Sequence, residues 1–349
     1  MKQIDKTLLT EGPISKRIIA FAIPILLGNV FQQLYNTADS LIVGNFIGSD
    51  ALAAVSSSGS LIFLLVGFFN GIAMGAGVVI SRYFGAKQYD KVQDAIHTDI
   101  AFGIVAGLIL TVLGVIFTPQ ILMWMGTPES VLPNSILYFR IYFTGVMAVV
   151  LYNIFVGILQ AVGDSRHPLY YLMISSIINV ILDILFVGVL GFGVGAAALA
   201  TVISQAVSAI LCFRRLVHYD TVYRVYPKKI RFHKEMLNQI IKLGLPSGVQ
   251  NSIIAFANVI VQSNINSFDV NAVAGCGAYS KIEGFAFLPI TCFSMSLTTF
   301  IGQNLGAKEF DRAKKGARFG IITSVLLAEI VGIMTVSYTH LTLPTICSV

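Results

Sequence analysis

The strongest constraint in this sequence is the repeated absence of charge over long stretches. Residues 18–38 lie uncharged between Arg17 and Asp39, and residues 51–81 between Asp50 and Arg82. Windows 100–128, 141–163, 243–268 and 284–307 are also free of charge. The run 167–213 holds one charge, Asp183, and is long enough for two spans, with a turn at Gly191, Gly193 and Gly195. A last run, 317–336, holds only Arg318 and Glu329. A helix needs about 20 mainly apolar residues to cross the hydrocarbon of a bilayer. The runs therefore predict nine spans, near 18–44, 54–80, 97–118, 138–161, 167–189, 194–214, 238–264, 281–304 and 317–336.

Composition supports this class. Of the 349 residues, 56% are hydrophobic and 11% charged, against about 25% charged in a soluble domain. Mean hydropathy is +0.80. Disorder is excluded, because it requires low hydrophobicity and high charge, and a soluble two-domain enzyme does not fit. The formal net charge of +6 does not point to nucleic acid, because the basic residues sit in short loops between apolar runs. With the N-terminus in the cytoplasm, all but Arg140 and Lys281 of the 23 Lys and Arg residues fall on the cytoplasmic side. The basic loop 215–237 then lies on the anionic cytoplasmic face. Cys212, Cys276, Cys292 and Cys347 show no paired spacing, so neither a disulfide framework nor a zinc site is expected. The polar start, Met1 to Lys16, leads into an apolar run too long for a signal-peptide core, and no cleavage is expected.

The chain repeats itself. Residues 80–91 align without gaps to residues 301–312 at an offset of 221. Gly85-Ala86-Lys87 matches Gly306-Ala307-Lys308, Asp90 matches Asp311, and Pro24 corresponds to Pro246 at an offset of 222. Six spans separate equivalent points, so the two repeats are parallel, an arrangement found in secondary transporters. The expected fold is an all-α polytopic bundle of two parallel six-span repeats, with three spans of the second present. Its parts are a cytoplasmic N-terminus 1–17, a six-span unit 18–214, a basic linker 215–237, a partial unit 238–336 and a tail 337–349. The tail breaks the apolar pattern, and a truncation or assembly scar after about Val336 is the expectation.

Charges inside spans are costly and mark function by default. Asp39 lies late in the first span and Asp183 late in the fifth, at about 8 and 9 Å from the outer edge by helical rise. Thr201, entering on the sixth span, lies about 10 Å down. Asn179 shares a helical face with Asp183, and Tyr35 with Asp39, each four residues earlier. Carboxylates with an amide and a hydroxyl form an oxygen set suited to a hard cation. Burial and a second nearby carboxylate both favour a held proton, so the set serves H⁺ or Na⁺, with no other metal or cofactor expected. The bland alternative is that each Asp bonds within the bundle or faces outer water. Pro24 is a candidate hinge in the first span or a static kink, and Pro246 and Pro289 carry the same ambiguity. Phe285, Phe287, Phe293 and Met295 line an apolar cavity or, as is commoner, pack towards lipid. Glu329 has no visible partner. Val162-Gly163-Asp164 has the look of an intramembrane aspartyl protease, but Asp164 falls on the side opposite to Asp39 and Asp183. No metalloprotease or Walker motif is present, so no enzyme is expected.

Taken together, these residues resemble the multidrug and toxin extrusion (MATE) transporters over Ser15 to Val336. The landmarks are Pro24 with Asp39, the two Gly-Ala-Lys segments, Gln160-Ala161-Val162-Gly163-Asp164 with Pro168, Asn179 with Asp183, and Gly244-Leu245-Pro246. The resemblance implies two six-span lobes around a central cavity in the plasma membrane. It implies entry of H⁺ or Na⁺ against exit of a cationic, amphipathic drug or metabolite. It maps a cation site of the first lobe to Asp39, Asn179, Asp183 and Thr201, with Tyr35 adjacent, and coupling to bending at Pro24. Some members carry an acidic residue in the seventh span. Here Ser247 to Ser252 follow Pro246 with no carboxylate before Asp269, which favours coupling in the first lobe. The alternatives are a flippase for a lipid-linked saccharide, which needs a cationic cavity, and a membrane-embedded hydrolase using Asp39 and Asp183. The apolar faces do not distinguish lipid from a second copy of the chain.

Overall fold

The computed structural model describes residues 8–124, 127, 129, 131–265 and 270–346, and every regular element among them is helical. In chain order these are α1 (Ile14–Phe46), α2 (Ser49–Gly85), α3 (Tyr89–Trp124), α4 (Leu132–Thr144), α5 (Val146–Ala161) and α6 (Arg166–Asp183). A π-helical turn Ile184–Val189 extends α6. Then follow α7 (Val194–His218), a short 3₁₀ turn Pro227–Lys229, α8 (Lys234–Ile265), α9 (Val270–Gly306) and α10 (Phe310–Ile346). Among the described residues, six helices are long and apolar enough to cross a membrane, and α4 with α5 make a seventh as a bent pair. Lys2, Lys6, Asp269, Cys347 and the side chains of Cys276 and Lys281 lie outside the described residues. The backbone of α10 continues helical past Val336 to Ile346.

The surface pattern is that of a protein dissolved in lipid. Val105, Leu108, Val112 and Ile116 recur on one face of α3 and are 42–56% exposed. Ser81, Ser135, Ser175, Asn179, Asp183 and Ser208 are buried instead. Lipid is as apolar as leucine, so helices in it associate through small residues and hydrogen bonds rather than by hiding apolar surface. At 33 residues α1 is about 50 Å long, against a hydrocarbon thickness of about 30 Å, so it tilts or projects.

The fourth span departs from the expected single helix over 138–161. It is two helices, α4 and α5, bent by 50° at Gly145. Around the bend the bonds shorten to three-residue steps, Gly145 N–H to Tyr142 C=O at 3.1 Å and Ala148 N–H to Gly145 C=O at 2.9 Å. A Cβ at Gly145 would strike the Val202 side chain, so α7 fills the space that glycine leaves. At Gly191 (φ +66°) the chain turns between α6 and α7 as the glycine cluster predicts.

The internal repeat is visible in three dimensions. Lys87 and Lys308 both adopt positive φ, 56° and 62°. Their turns close alike, with Gln88 N–H to Tyr83 C=O at 3.0 Å and Glu309 N–H to Asn304 C=O at 2.9 Å. The same glycines let α2 and α9 cross. A Cβ on Gly85 would meet the Gln303 backbone, and one on Gly306 would meet the Arg82 carbonyl. Offset by 221, these two contacts are the same contact exchanged between repeats. Further along α2, Gly71 and Gly75 lie against Gly248 and Gly244 of α8. The two halves are thus joined backbone to backbone along α2, at the end of the bundle where the basic loops gather.

Helix α1 also touches both halves. Leu169 and Leu172 of α6 pack at its Gly28. On a neighbouring face Ile18, Phe21, Ala22 and Ile25 form a cluster with Cys292, Phe293 and Phe300 of α9. Asn29 donates to the Cys292 sulfur at 3.0 Å. The linker between the halves is anchored on α3: Gln93 donates to the Val222 carbonyl at 2.9 Å, and the Tyr226 N–H donates to His97 Nε2 at 3.1 Å.

Candidate cation site

Two helices bring the intramembrane carboxylates together. Asp39 lies in the second half of α1, and Asp183 is the last residue of α6 before the π-helical turn. Such turns add a residue per turn and recur at functional positions. Asp183 is fully buried and Asp39 is 7% exposed. Helices α1 and α6 pack against each other, with Leu169 and Leu172 of α6 at Gly28 of α1. Both Asp183 oxygens and Asp39 Oδ1 find no donor among the described residues. No Lys, Arg or His there forms an ion pair with either group. An unpaired carboxylate out of water costs several kcal/mol, roughly. A held proton or a bound cation would each offset part of that negative charge.

Asn179 and Tyr35 share helices α6 and α1 with the carboxylates, and Thr201 lies on α7. Asn179 lies one turn from Asp183 on α6, fully buried, with both amide atoms unpartnered among the described residues. The Tyr35 hydroxyl accepts from Gln205 Nε2 of α7 at 3.2 Å. That bond sets the register of α1 against α7. Asp39 is one turn beyond Tyr35 and Thr201 one turn before Gln205, so the antiparallel helices place Asp39 and Thr201 at one level. Thr201 Oγ1 donates to the Ala197 carbonyl at 3.1 Å, which leaves its lone pairs for another ligand. Pro24 lies buried inside α1, one turn from Gly28, where α1 is packed against both α6 and α9.

Three residues escaped the sequence reading. Gln205 is 5% exposed and shares a helical face with Thr201, a signal that was present in the spacing. Tyr138 of α4 is buried in a cluster with Val43 of α1 and Val187 of the π-helical turn, packing across the bundle that no local pattern announces. Asp99, near the start of the third span, is 2% exposed with an unpartnered Oδ1, so the spans hold a third buried carboxylate.

Other candidates settle elsewhere. Phe285 and Phe287 are 41% and 55% exposed, whereas Phe293 and Met295 pack in the cluster with α1, so the four do not line one cavity. Pro246 and Pro289 lie inside α8 and α9. Glu329 faces outward from α10. Asp164 bonds His167 Nδ1 at 2.7 Å and lies 3.9 Å from Arg215, pairs that tie the start of α6 to the end of α7.

Known proteins share this architecture. The family model MatE matches residues 24–185 and 246–345. The chain is 33% identical over 330 residues to the Bacillus subtilis (strain 168) protein named Probable multidrug resistance protein YoeA, covering 92% of this chain and 71% of that one. It is 25% identical over 328 residues to the multidrug export protein MepA of Staphylococcus aureus (strain NCTC 8325 / PS 47), covering 94% and 71%. Among solved structures, an outward-facing multidrug resistance MATE family transporter of the MOP superfamily superposes with a TM-score of 0.85 at 25% identity, over 93% of this chain and 73% of that one. A MOP superfamily transporter from Pyrococcus furiosus, described as having a binding pocket of reverse polarity that suggests a different function, gives 0.86 at 25% identity, over 94% and 73%.

Proposed function

This chain belongs to the MatE family of multidrug efflux transporters, and from that premise we propose that it is a cation-coupled antiporter. H⁺ or Na⁺ enters through a site made by Asp39, Asp183, Asn179 and Thr201, with Tyr35 adjacent. An amphipathic, mostly cationic small molecule leaves in exchange. The protein lies in the plasma membrane with its N-terminus and basic loops in the cytoplasm.

The observation that carries this reading is the pair Asp39 and Asp183, both buried on helices that pack together and with no basic partner among the described residues. Offsetting its charge calls for the ion that the antiport would move. Its position supports coupling. Asp39 rides on α1, which packs against both α6 and α9 of the second repeat. Filling or emptying the site changes the electrostatic load on α1, and Pro24, with no N–H to complete the helical ladder, is the natural place for α1 to bend. A hard cation and a proton both suit an all-oxygen set. A saccharide flippase would need cations inside to hold pyrophosphate, and Arg140, Arg214, Lys242 and Arg318, which fall within spans, are all exposed.

Dye efflux from pump-deficient cells tests the proposal. Cells producing the protein should expel a fluorescent cationic dye, and a protonophore or a Na⁺ ionophore should stop them. Efflux that ignores both ionophores would overturn cation coupling.

A further inference from the structure

The segment before α1 folds back beneath the junction of the two repeats. Gly12, at φ +82°, turns the chain, and Arg17 Nε donates to the Glu11 carbonyl at 3.1 Å across that turn. Leu8 and Leu9 are 2% and 4% exposed. They bury in different places: Leu8 joins the large core cluster, built mostly from the first repeat with Met236 and Ile240 of α8, and Leu9 joins the cluster between α1 and α9.

Gln303 of α9 is the centre of the contact and is fully buried. Its Oε1 accepts from the Leu9 N–H at 2.9 Å, and its Nε2 donates to the Ala161 carbonyl at the end of α5, also at 2.9 Å. The Leu9 carbonyl accepts from Asn304 Nδ2 at 3.4 Å and from an Arg312 guanidinium nitrogen at 3.2 Å. One amide of the second repeat therefore holds the end of a helix in the first repeat and the tail at once. The repeat symmetry does not require this. Arg82 is the equivalent of Gln303, yet the segment entering α8 is held by α3 instead, with the His233 N–H donating to Thr98 Oγ1 at 3.1 Å.

We propose that Leu8, Leu9 and Gln303 form a latch that holds the basic, cytoplasmic end of the transporter closed. The inference rests on the transporter reading, because alternating access requires one repeat to rock away from the other. Parting α9 from α5 breaks the Gln303–Ala161 bond. It also forces the tail to leave either Leu8's site in the large core cluster or Leu9's bonds to the second repeat. The tail thereby adds to the cost of opening inward and sets how often the substrate path meets the cytoplasm. Gln303 acts here as a positioning residue, remote from the cation pair.

The test reads opening directly. Ser81→Cys places a thiol in the α2–α9 crossing, where Ser81 is fully buried. In inside-out vesicles, a membrane-impermeant maleimide should label it slowly in the parent protein. Labelling should rise about tenfold with Gln303→Met, which keeps the volume and removes both buried hydrogen bonds. Removal of residues 1–9 should raise it comparably, and this variant leaves the packed helices intact if Gln303→Met fails to fold. Unchanged labelling after removal of the tail overturns the latch, and so does a rise confined to Gln303→Met. The assay uses neither drug nor ion gradient, so a failure of cation coupling would not alter its outcome.

Discussion

Asp183→Asn is expected to lower ion-driven efflux on the order of a hundredfold, the scale of coupling between linked sites. Asparagine keeps the volume of the side chain but can neither take up a proton nor neutralise a cation. Asp39→Asn should do the same. The double variant should be little worse than either single one, because the two carboxyls act as one unit and neighbours of this kind are not additive. Stability should move the other way. Each substitution removes a buried acid with no basic partner among the described residues, so the solubilised protein should unfold at the same temperature or higher. Loss of efflux with stability retained separates a coupling role from a structural one. Wild-type efflux in either variant, at matched membrane expression, would remove the pair from the mechanism.

Gly306→Leu should produce the largest loss of stability. Its side chain would enter the space of the Arg82 carbonyl, and Gly85→Leu would do the same at the Gln303 backbone. Backbone in a packed helix cannot swing aside as a flexible side chain does. Overpacking of this kind costs about 1–3 kcal/mol, and more where helices must separate. Gly157→Ala is the control, because nothing lies within 4 Å of a Cβ added there. Relief of glycine's conformational freedom in the middle of α5 should make it neutral or stabilising by up to about 1 kcal/mol. Thermal unfolding of the solubilised variants checks both. Equal behaviour of Gly306→Leu and Gly157→Ala would mean that the two repeats are not pressed together at their equivalent glycines.

The features readable in the sequence were those with a local signature. Charge-free runs marked the spans, because lipid penalises each buried charge separately. The Gly-Ala-Lys repeat marked two turns that prove equivalent down to the positive φ of Lys87 and Lys308. Asp39 and Asp183 could be paired by depth, since helical rise converts residue number into distance along the bundle. Features that depend on what packs opposite were not legible. Gly145 sat inside an apolar window, and only the Val202 side chain from α7 shows why the span bends there. Tyr138 packs with Val43 of α1 and Val187 of the π-helical turn from a helix read only as apolar. Leu8 and Leu9 belong to a start that reads as polar, and their burial is decided by Gln303, almost 300 positions away at |i−j| = 294.

The central claim is that drug and cation move in opposite directions through one cycle governed by Asp39 and Asp183. Its most direct test is to run the cycle from the drug side. In proteoliposomes with no ion gradient, an imposed drug gradient should drive H⁺ or Na⁺ the opposite way in fixed proportion. Indicators of internal pH and internal Na⁺ would identify which ion moves. In Asp39→Asn and Asp183→Asn that ion movement should vanish. Drug flux without any counter-movement of either ion in the wild-type protein would contradict the account, as would counter-movement that persists in both variants.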